Sequence, residues 1–456
     1  MKMVLNRSIT LPQAVFYGVG VIIGAGIYTL IGSAAGIAGG ALWISFVIAG
    51  VIASLTALTY SELTKRFSKE AAETVFILHA FNNKTLGFVI GYLSLITILI
   101  SIGTVAWGFA TYFKLFIDIN PHIVTALLIA GITIINLYGV QKSTLLNIVM
   151  TLITVLGLLI VIIFGLPYVG STNLFVGLNG ETLTENSFSF AQSLFSAAAL
   201  IFFAFLGFEE IANISEETKN PKKNVPKAIL LSLLIASALY ILISIVAVSV
   251  ISPAQLAEAA DPNSPLTQGP LALVVEKAVG AGYGYWFSFF ALCATASTIL
   301  VSLTVSSRIL YGLSKQGMLP KIFQKTNTEQ VPFFSILFVG IATIILAWLG
   351  NLTLLGYLTT VGTFLLFFAV NVSLIAINYE EHTLNLKNKI KKGFFSTYYL
   401  PAILGALFCI TMFFTQYWQP IEVFGFKVPL LLLSLIIFST AIPIYWVMGK
   451  KNPQRE

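Results

Sequence analysis

The chain has 456 residues, of which 57% are hydrophobic and only 9% charged, and its mean hydropathy is +0.92. Soluble domains carry about a quarter charged residues, so this composition excludes a soluble globular protein. The net charge of +7 does not indicate nucleic acid binding, because the basic residues lie in short loops between apolar runs, where they orient a membrane protein.

Twelve apolar stretches of about 18 residues or more predict twelve membrane-spanning helices. The first six lie near 12–36, 41–63, 86–113, 121–140, 144–168 and 190–213. The second six lie near 227–251, 283–311, 332–350, 353–378, 398–417 and 425–448. An even number of spans places both termini on the same side of the membrane.

The distribution of basic residues predicts which side that is. If the N-terminus is cytoplasmic, only Lys114, Lys277 and Lys427 of the 25 lysines and arginines lie outside. Cytoplasmic loops are enriched in these residues, so both termini are predicted to be cytoplasmic. The basic runs 219–227 and 387–392 are then cytoplasmic loops.

Spans 1 and 6, each the first of five, are interrupted near their middles. Span 1 carries four glycines between residues 18 and 26, and glycine weakens a helix. Span 6 carries Gly207 and then Glu209, where inserting a charge into the membrane costs about 2.5–3.5 kcal/mol. Interrupted helices at corresponding positions of two halves predict an inverted-repeat transporter with its site at the membrane midplane.

Each of these features also has a structural explanation. The pairs Gly20-x-x-x-Gly24 and Gly32-x-x-x-Gly36 match ordinary helix-packing motifs. Glu209 is favoured as a cap at the start of the second half-helix over a direct substrate contact, because an acid suits the positive end of the helix dipole.

A set of short motifs follows in order along the chain. Residues 18–28 read Gly-Val-Gly-Val-Ile-Ile-Gly-Ala-Gly-Ile-Tyr, and further motifs lie at 60–63, 207–209, 220–229, 307–311 and 317–320. Together they resemble those of the amino acid-polyamine-organocation (APC) superfamily, over roughly residues 7–380. The resemblance implies an all-α polytopic fold with broken helices 1 and 6, a five-plus-five inverted repeat and transport by alternating access.

The same resemblance implies a domain organisation and a substrate site. One transporter domain, 1–456, would contain the repeats 12–168 and 190–378 and two further helices in 398–448. The backbone amides of Gly24, Ala25 and Gly26 would hold the carboxylate of an amino acid, since glycine leaves the backbone accessible. The carbonyls expected to receive the ammonium group are those of Ile22, Phe203, Ala204 and Leu206. Phe203 also stands where members of the superfamily carry an aromatic gate.

The sequence departs from the superfamily at three places. Ser-Lys-Glu-Ala-Ala at 68–72 replaces Pro-x-x-Gly-Gly after span 2. Thr97 replaces an acid in span 3, so neutral amino acids are favoured, because a lysine or arginine side chain would be desolvated without a counter-ion. Thr154 occupies the position at which some members carry a proton-bearing lysine in span 5, and threonine cannot take that role.

The coupling ion is left open between sodium, a proton and uncoupled exchange. By resemblance, a sodium ion would be held by oxygen atoms of Gly20, Ile23, Ala294, Ser297 and Thr298. Hydroxyls inside membrane helices also commonly bond back to their own helix, which is the structural explanation of the last two. Proton coupling would depend on Glu209. No prosthetic cofactor is expected.

The predicted function is therefore secondary transport of amino acids in the cell membrane, with the amino acid and the lipid bilayer as partners and no nucleic acid. The alternatives are a sodium-coupled or exchange-type carrier of another small amine or organocation, a channel, or a membrane-embedded enzyme. The enzyme is disfavoured because His79, His122 and His382 are scattered near span ends. The sequence predicts no oligomeric state.

Overall fold

The computed structural model describes residues 7–69, 71–260, 269–327, 331–350, 352–387, 399–416, 420–423 and 426–449. Most of the predicted basic loop 387–392 and both chain ends lie outside these residues. The described chain is helical nearly throughout, as the composition predicts.

The described residues of the first half form seven α-helices and two short 3-10 turns. The helices are α1 (Leu11–Ile22), α2 (Ala25–Ala38), α3 (Leu42–Arg66), α4 (Ala72–Phe81), α5 (Lys84–Phe113), α6 (Pro121–Leu137) and α7 (Val140–Gly165). The turns are Gly39–Ala41 and Leu166–Tyr168.

The second half begins with α8 (Ser187–Ile201), which continues through two 3-10 segments, Phe202–Phe205 and Phe208–Glu217. The helices that follow are α9 (Pro221–Val250), α10 (Pro253–Ala259), α11 (Pro270–Val279), α12 (Tyr283–Lys315), α13 (Phe333–Leu349), α14 (Leu352–Lys387), α15 (Tyr399–Gln416), α16 (Leu430–Ser439) and α17 (Ala441–Gly449). A 3-10 turn, Lys321–Gln324, precedes α13. Between α15 and α16, β1 (Pro420–Val423) pairs antiparallel with β2 (Phe426–Pro429), with Pro420 opposite Pro429.

Eight helical stretches of the described chain are long and apolar enough to cross a membrane: Leu11–Tyr28, Leu30–Arg66, Lys84–Ala110, Leu145–Tyr168, Ser187–Glu217, Pro221–Val250, Tyr283–Lys315 and Leu354–Glu380. The predicted spans 4, 9, 11 and 12 correspond to apolar helices of 10–17 residues. The polytopic all-helical fold is thus confirmed, whereas the count of twelve is not. The inverted repeat and the domain boundaries stay predictions.

The helix α12 is deeply buried, and all its residues from Cys293 to Ser314 are inaccessible or nearly so. It packs against α5, α7 and α1, which brings the first broken helix to the centre of the protein. Large apolar side chains such as Leu127, Leu234 and Leu349 are exposed on outer helices. An exposed apolar belt of this kind suits a lipid environment.

The loop after span 2 adopts a glycine-like conformation without glycine. Ala71 has φ +50° and ψ +53°, a left-handed conformation that costs a residue with a Cβ about 1–2 kcal/mol. The next residue, Ala72, donates its N–H to the side chain of Asn213 at 2.8 Å. Asn213 and Tyr60 also donate to the buried Glu73 carboxylate at the start of α4. Burial raises the pKa of Glu73, and these hydrogen bonds act in the opposite direction.

Candidate functional site

The first helix break is two residues long. The α1 helix ends at Ile22, and Ile23 donates its N–H back to Val19. Gly24 has a non-helical conformation, with φ −99° and ψ −145°, before α2 begins at Ala25. The first N–H groups of α2 therefore have no partner within the helix. A Cβ on Gly26 would lie 2.5 Å from the Cα of Ala204. Close packing against span 6 therefore requires glycine at position 26. This reason is separate from the predicted one, which is that glycine leaves the backbone accessible to a ligand.

The second helix break depends on the backbone conformation of Gly207 and on the carboxylate of Glu209. After the 3-10 turn Phe202–Phe205, Leu206 is extended and Gly207 has φ +116°, which strongly favours glycine. The Glu209 carboxylate accepts a hydrogen bond from the Gly207 N–H at 2.9 Å. A Cβ on Gly207 would lie 2.4 Å from a methyl group of Val21. The two breaks therefore touch each other.

One tyrosine joins the two breaks. The hydroxyl of Tyr240, a fully buried residue of α9, lies 2.6 Å from the Ile22 carbonyl oxygen and 3.1 Å from that of Ala204. The Phe203 carbonyl accepts the N–H of Leu206 at 3.3 Å. Three of the four carbonyls predicted to receive an ammonium group thus already have a protein partner. No local motif marks Tyr240, which is a single tyrosine in an apolar span.

A cavity of about 50 Å³ lies between the breaks. The residues that line it from spans 1 and 6 are Val21, Ile22, Gly24, Gly26, Phe203, Leu206, Gly207, Glu209 and Glu210. Most of the predicted substrate residues are therefore gathered around one space, together with Thr97. Ala204 does not line the cavity.

The opposite wall of the cavity is rich in hydroxyl groups from α5, α12 and α14. They are those of Ser94, Thr97, Ser101, Thr298, Ser302, Thr359 and Thr363. Thr359 and Thr363 bond back to their own helix. The Thr97 hydroxyl is buried and has no hydrogen-bond partner among the described residues. A buried polar group without a partner indicates a ligand or water, because leaving it unpaired costs about 1–3 kcal/mol.

Four of the five predicted sodium ligands lie close together next to the first break, namely Gly20, Ala294, Ser297 and Thr298. The Thr298 hydroxyl is 3.4 Å from the Gly20 carbonyl and 3.2 Å from that of Ala294. Ser297 donates to the Asn147 side chain at 2.7 Å and is 3.5 Å from Gly20. Ile23 makes no such contact among these groups. Sodium binding stays a prediction.

The helix of span 5 faces the first break with residues that the sequence does not single out. A Cβ on Gly20 would lie 2.1 Å from the Thr151 hydroxyl and 3.1 Å from the Asn147 side-chain oxygen. Thr154, predicted for this position by counting from Gly139, instead bonds back to the Met150 carbonyl at 2.9 Å. Its own carbonyl accepts the Tyr28 hydroxyl at 3.2 Å. Asn147, Thr151 and Thr154 lie on one face of α7, and Thr154 is buried one turn beyond the residues that meet Gly20, next to Tyr28 of α2. A role of Thr154 in coupling stays a prediction.

Two buried carboxylates on segment 208–217 differ in their partners. Glu217 accepts hydrogen bonds from the guanidinium group of Arg308 at 2.9 and 3.1 Å, and both side chains are nearly inaccessible. Among the residues that the structure describes, Glu210 accepts only from the hydroxyl of Ser302, at 2.8 and 3.1 Å. The end of the segment is also tied to the chain before α1, since Ile9 and residues 217–219 exchange backbone hydrogen bonds.

Comparison with known proteins identifies a family. Residues 9–441 match the amino acid permease family. The chain is 27% identical over 458 residues to the branched-chain amino acid permease BcaP of Bacillus subtilis, covering 95% of this chain and 92% of the relative. It is 30% identical to the methylthioribose transporter of Bacillus subtilis, over 82% of this chain and 81% of that protein.

A further relative differs in length. The chain is 30% identical to the vacuolar cationic amino acid transporter 2 of Arabidopsis thaliana, over 82% of this chain but 60% of that protein. The chain thus spans about three fifths of the length of this transporter.

Proposed function

This chain belongs to the amino acid permease family, and from that premise we propose that it is a secondary transporter of neutral amino acids that works by alternating access. It is a multi-pass membrane transporter and not an enzyme. The observation that carries the proposal is the contact of the two breaks around one cavity, with a Thr97 hydroxyl in its wall that has no partner in the described part of the chain.

An amino acid zwitterion matches the groups that the cavity offers. Its carboxylate needs hydrogen-bond donors, which the free N–H groups at the start of α2 supply. Its ammonium group needs acceptors, and Ile22, Phe203 and Leu206 line the cavity. Each backbone carbonyl has two lone pairs, so a carbonyl that already accepts one hydrogen bond can accept a second. Both charges can therefore exchange water for backbone groups without a charged protein partner.

The wall of the cavity favours a neutral side chain. Lining residues on α5, α12 and α14 are hydroxyl-bearing or aliphatic, and the lining acids are Glu209 and Glu210 on span 6. Each acid already has a protein partner, the Gly207 N–H and the Ser302 hydroxyl. The relatives are named as transporters of cationic amino acids, of branched-chain amino acids and of methylthioribose. Membership of the family therefore does not specify the substrate, and the side chains that line the cavity are the basis for proposing a neutral one.

Alternating access requires contacts that open and close. The buried Arg308–Glu217 pair joins α12 to segment 208–217, which follows the second break. The backbone hydrogen bonds of Ile9 join the chain before α1 to the end of the same segment. We place these contacts, and both termini, on the cytoplasmic side of the cell membrane. Separating them would open a route from the cavity to that side.

The test uses purified protein in liposomes loaded with unlabelled alanine, with labelled alanine outside. Saturable exchange is expected, with serine or leucine competing better than arginine. Thr97→Val should raise the half-saturating alanine concentration about five- to tenfold, because one hydrogen bond is worth about 1 kcal/mol.

The matched control is Thr411→Val, at an exposed threonine whose hydroxyl bonds back to Leu407 of its own helix. This variant should behave like the parent protein. Preferential transport of arginine or lysine would overturn the neutral substrate class. Equal behaviour of the two threonine variants would remove Thr97 from the site.

A further inference from the structure

Glu210 is a buried carboxylate that borders the cavity without a cationic partner. Its side chain is 5% exposed and forms no ion pair among the described residues. Both carboxylate oxygens face the hydroxyl of Ser302, which is 3% exposed and also lines the cavity. A hydroxyl has one hydrogen to donate, so an ionised Glu210 would hold its charge on a single neutral hydrogen bond.

The two other buried carboxylates of this segment have different hydrogen-bond partners. Glu217 has the Arg308 guanidinium group, and Glu209 accepts the Gly207 N–H. A buried carboxylate without such a partner costs several kcal/mol as an anion, and it is neutralised most simply by a proton. The protonated form keeps its contact to Ser302, because the serine oxygen can then accept from the acid.

Other titratable groups near Glu210 do not supply a positive charge to it. The lysines of the helices packed around its segment are exposed (Lys65 of α3, Lys222, Lys223 and Lys227 of α9, and Lys315 of α12), and Arg66 of α3 pairs with Glu62. The groups that act electrostatically on Glu210 or on Tyr17 beside it are Glu209, Glu217, Tyr17 of α1, Glu73 of α4 and Arg308 of α12. Arg308 is engaged by Glu217, and the remaining groups are neutral or negative.

The helix α12 connects Glu210 with the first break. Thr298 and Ser302 are one turn apart on α12, and both line the cavity. Thr298 lies 3.4 Å from the Gly20 carbonyl and 3.3 Å from that of Val21, while Ser302 contacts Glu210. A change at the Glu210–Ser302 contact therefore acts on α12, and Thr298 of the same helix contacts the first break.

We propose that Glu210, with Ser302 as its hydrogen-bond partner, is the proton-binding group that couples transport to a proton gradient. This proposal rests on the proposed transport of amino acids. A proton from water on one side adds to a carboxylate oxygen of Glu210 while the substrate occupies the cavity. After the cavity opens to the other side, the same proton leaves to water there, so one proton moves with each substrate.

The experiment compares gradient-driven accumulation with exchange in the same liposomes. Sodium is replaced by choline, and labelled alanine uptake is measured with and without an inward proton gradient. In Glu210→Gln, the ratio of gradient-driven accumulation to exchange rate should be at least tenfold lower than in the parent protein. The matched control Glu185→Gln, at an exposed loop carboxylate, should keep the ratio of the parent protein. Ser302→Ala should move half-maximal uptake to a higher pH, because the ionised carboxylate loses its donor.

The outcomes separate the two proposals. Absence of exchange by the parent protein would reject the transport of amino acids. Exchange without a response to the proton gradient, or accumulation by Glu210→Gln equal to that of the parent, would reject Glu210 as the proton site. If Glu210→Gln does not fold, the pH shift of Ser302→Ala decides. Selective loss of arginine uptake in Glu210→Gln would instead make Glu210 a ligand of cationic substrates and overturn the proposal.

Discussion

The two helix breaks reach the same result by different physical means. The first break needs two residues and returns at once to a regular α-helix, and it depends on missing side chains at Gly24 and Gly26. The second break passes through 3-10 turns and depends on the positive φ of Gly207 and on the Glu209 carboxylate. The first break is thus sensitive to added volume, and the second is sensitive to backbone conformation and hydrogen bonding.

The largest effect is expected at the contact between the breaks. Gly26→Val places carbon atoms against the backbone of Ala204, which cannot move aside as a flexible side chain would. We expect a loss of stability of about 3 kcal/mol or more and no measurable uptake. The midpoint of thermal unfolding in detergent and the exchange assay measure these effects. Gly131→Val, with no atom within 4 Å of the added Cβ, is the control.

A smaller loss is expected at the second break. Gly207→Ala combines a left-handed conformation with a contact to Val21, and we expect it to destabilise the protein by about 2–3 kcal/mol. Gly170→Ala separates the two causes, because Gly170 also has a positive φ but an added Cβ meets nothing within 4 Å. If the two variants unfold at the same temperature, the contact between the breaks contributes nothing.

The tyrosine that joins the breaks should matter less. Tyr240→Phe removes the hydroxyl near the Ile22 and Ala204 carbonyls and keeps the ring. We expect a loss of about 1 kcal/mol in the free energy of unfolding, as for one buried hydrogen bond. Denaturant unfolding in detergent measures it. A stability equal to that of the parent protein would show that the breaks are held together by packing alone.

The smallest effect is expected when only the charge of the cap is removed. Glu209→Gln keeps an oxygen that can accept the Gly207 N–H, so its stability should fall by less than about 1 kcal/mol. Glu209→Ala removes the acceptor and should lose more, about 1–2 kcal/mol, as other helix caps do. A larger loss in the glutamine variant than in the alanine variant would contradict a capping role.

Local features of the chain could be predicted because they depend on short-range properties. Apolar composition determines a membrane environment, and a dense run of glycines weakens a helix wherever that helix packs. The sequence alone therefore established a helical membrane protein with the motifs of a permease and two broken spans. The number of spans was not confirmed, because a hydropathy window measures composition and not where a helix begins and ends.

The tertiary structure decided which distant groups meet. Tyr240 and Ile22 are 218 residues apart, and Ser302 and Glu210 are 92 residues apart. On α7, Asn147 and Thr151 meet Gly20 of α1, more than 120 residues away along the chain. These pairings follow from how each helix is rotated against its neighbours, and that rotation results from the packing of all of them together. Each span therefore carries its own residues of the site, whereas only the assembled helices determine which residues become partners.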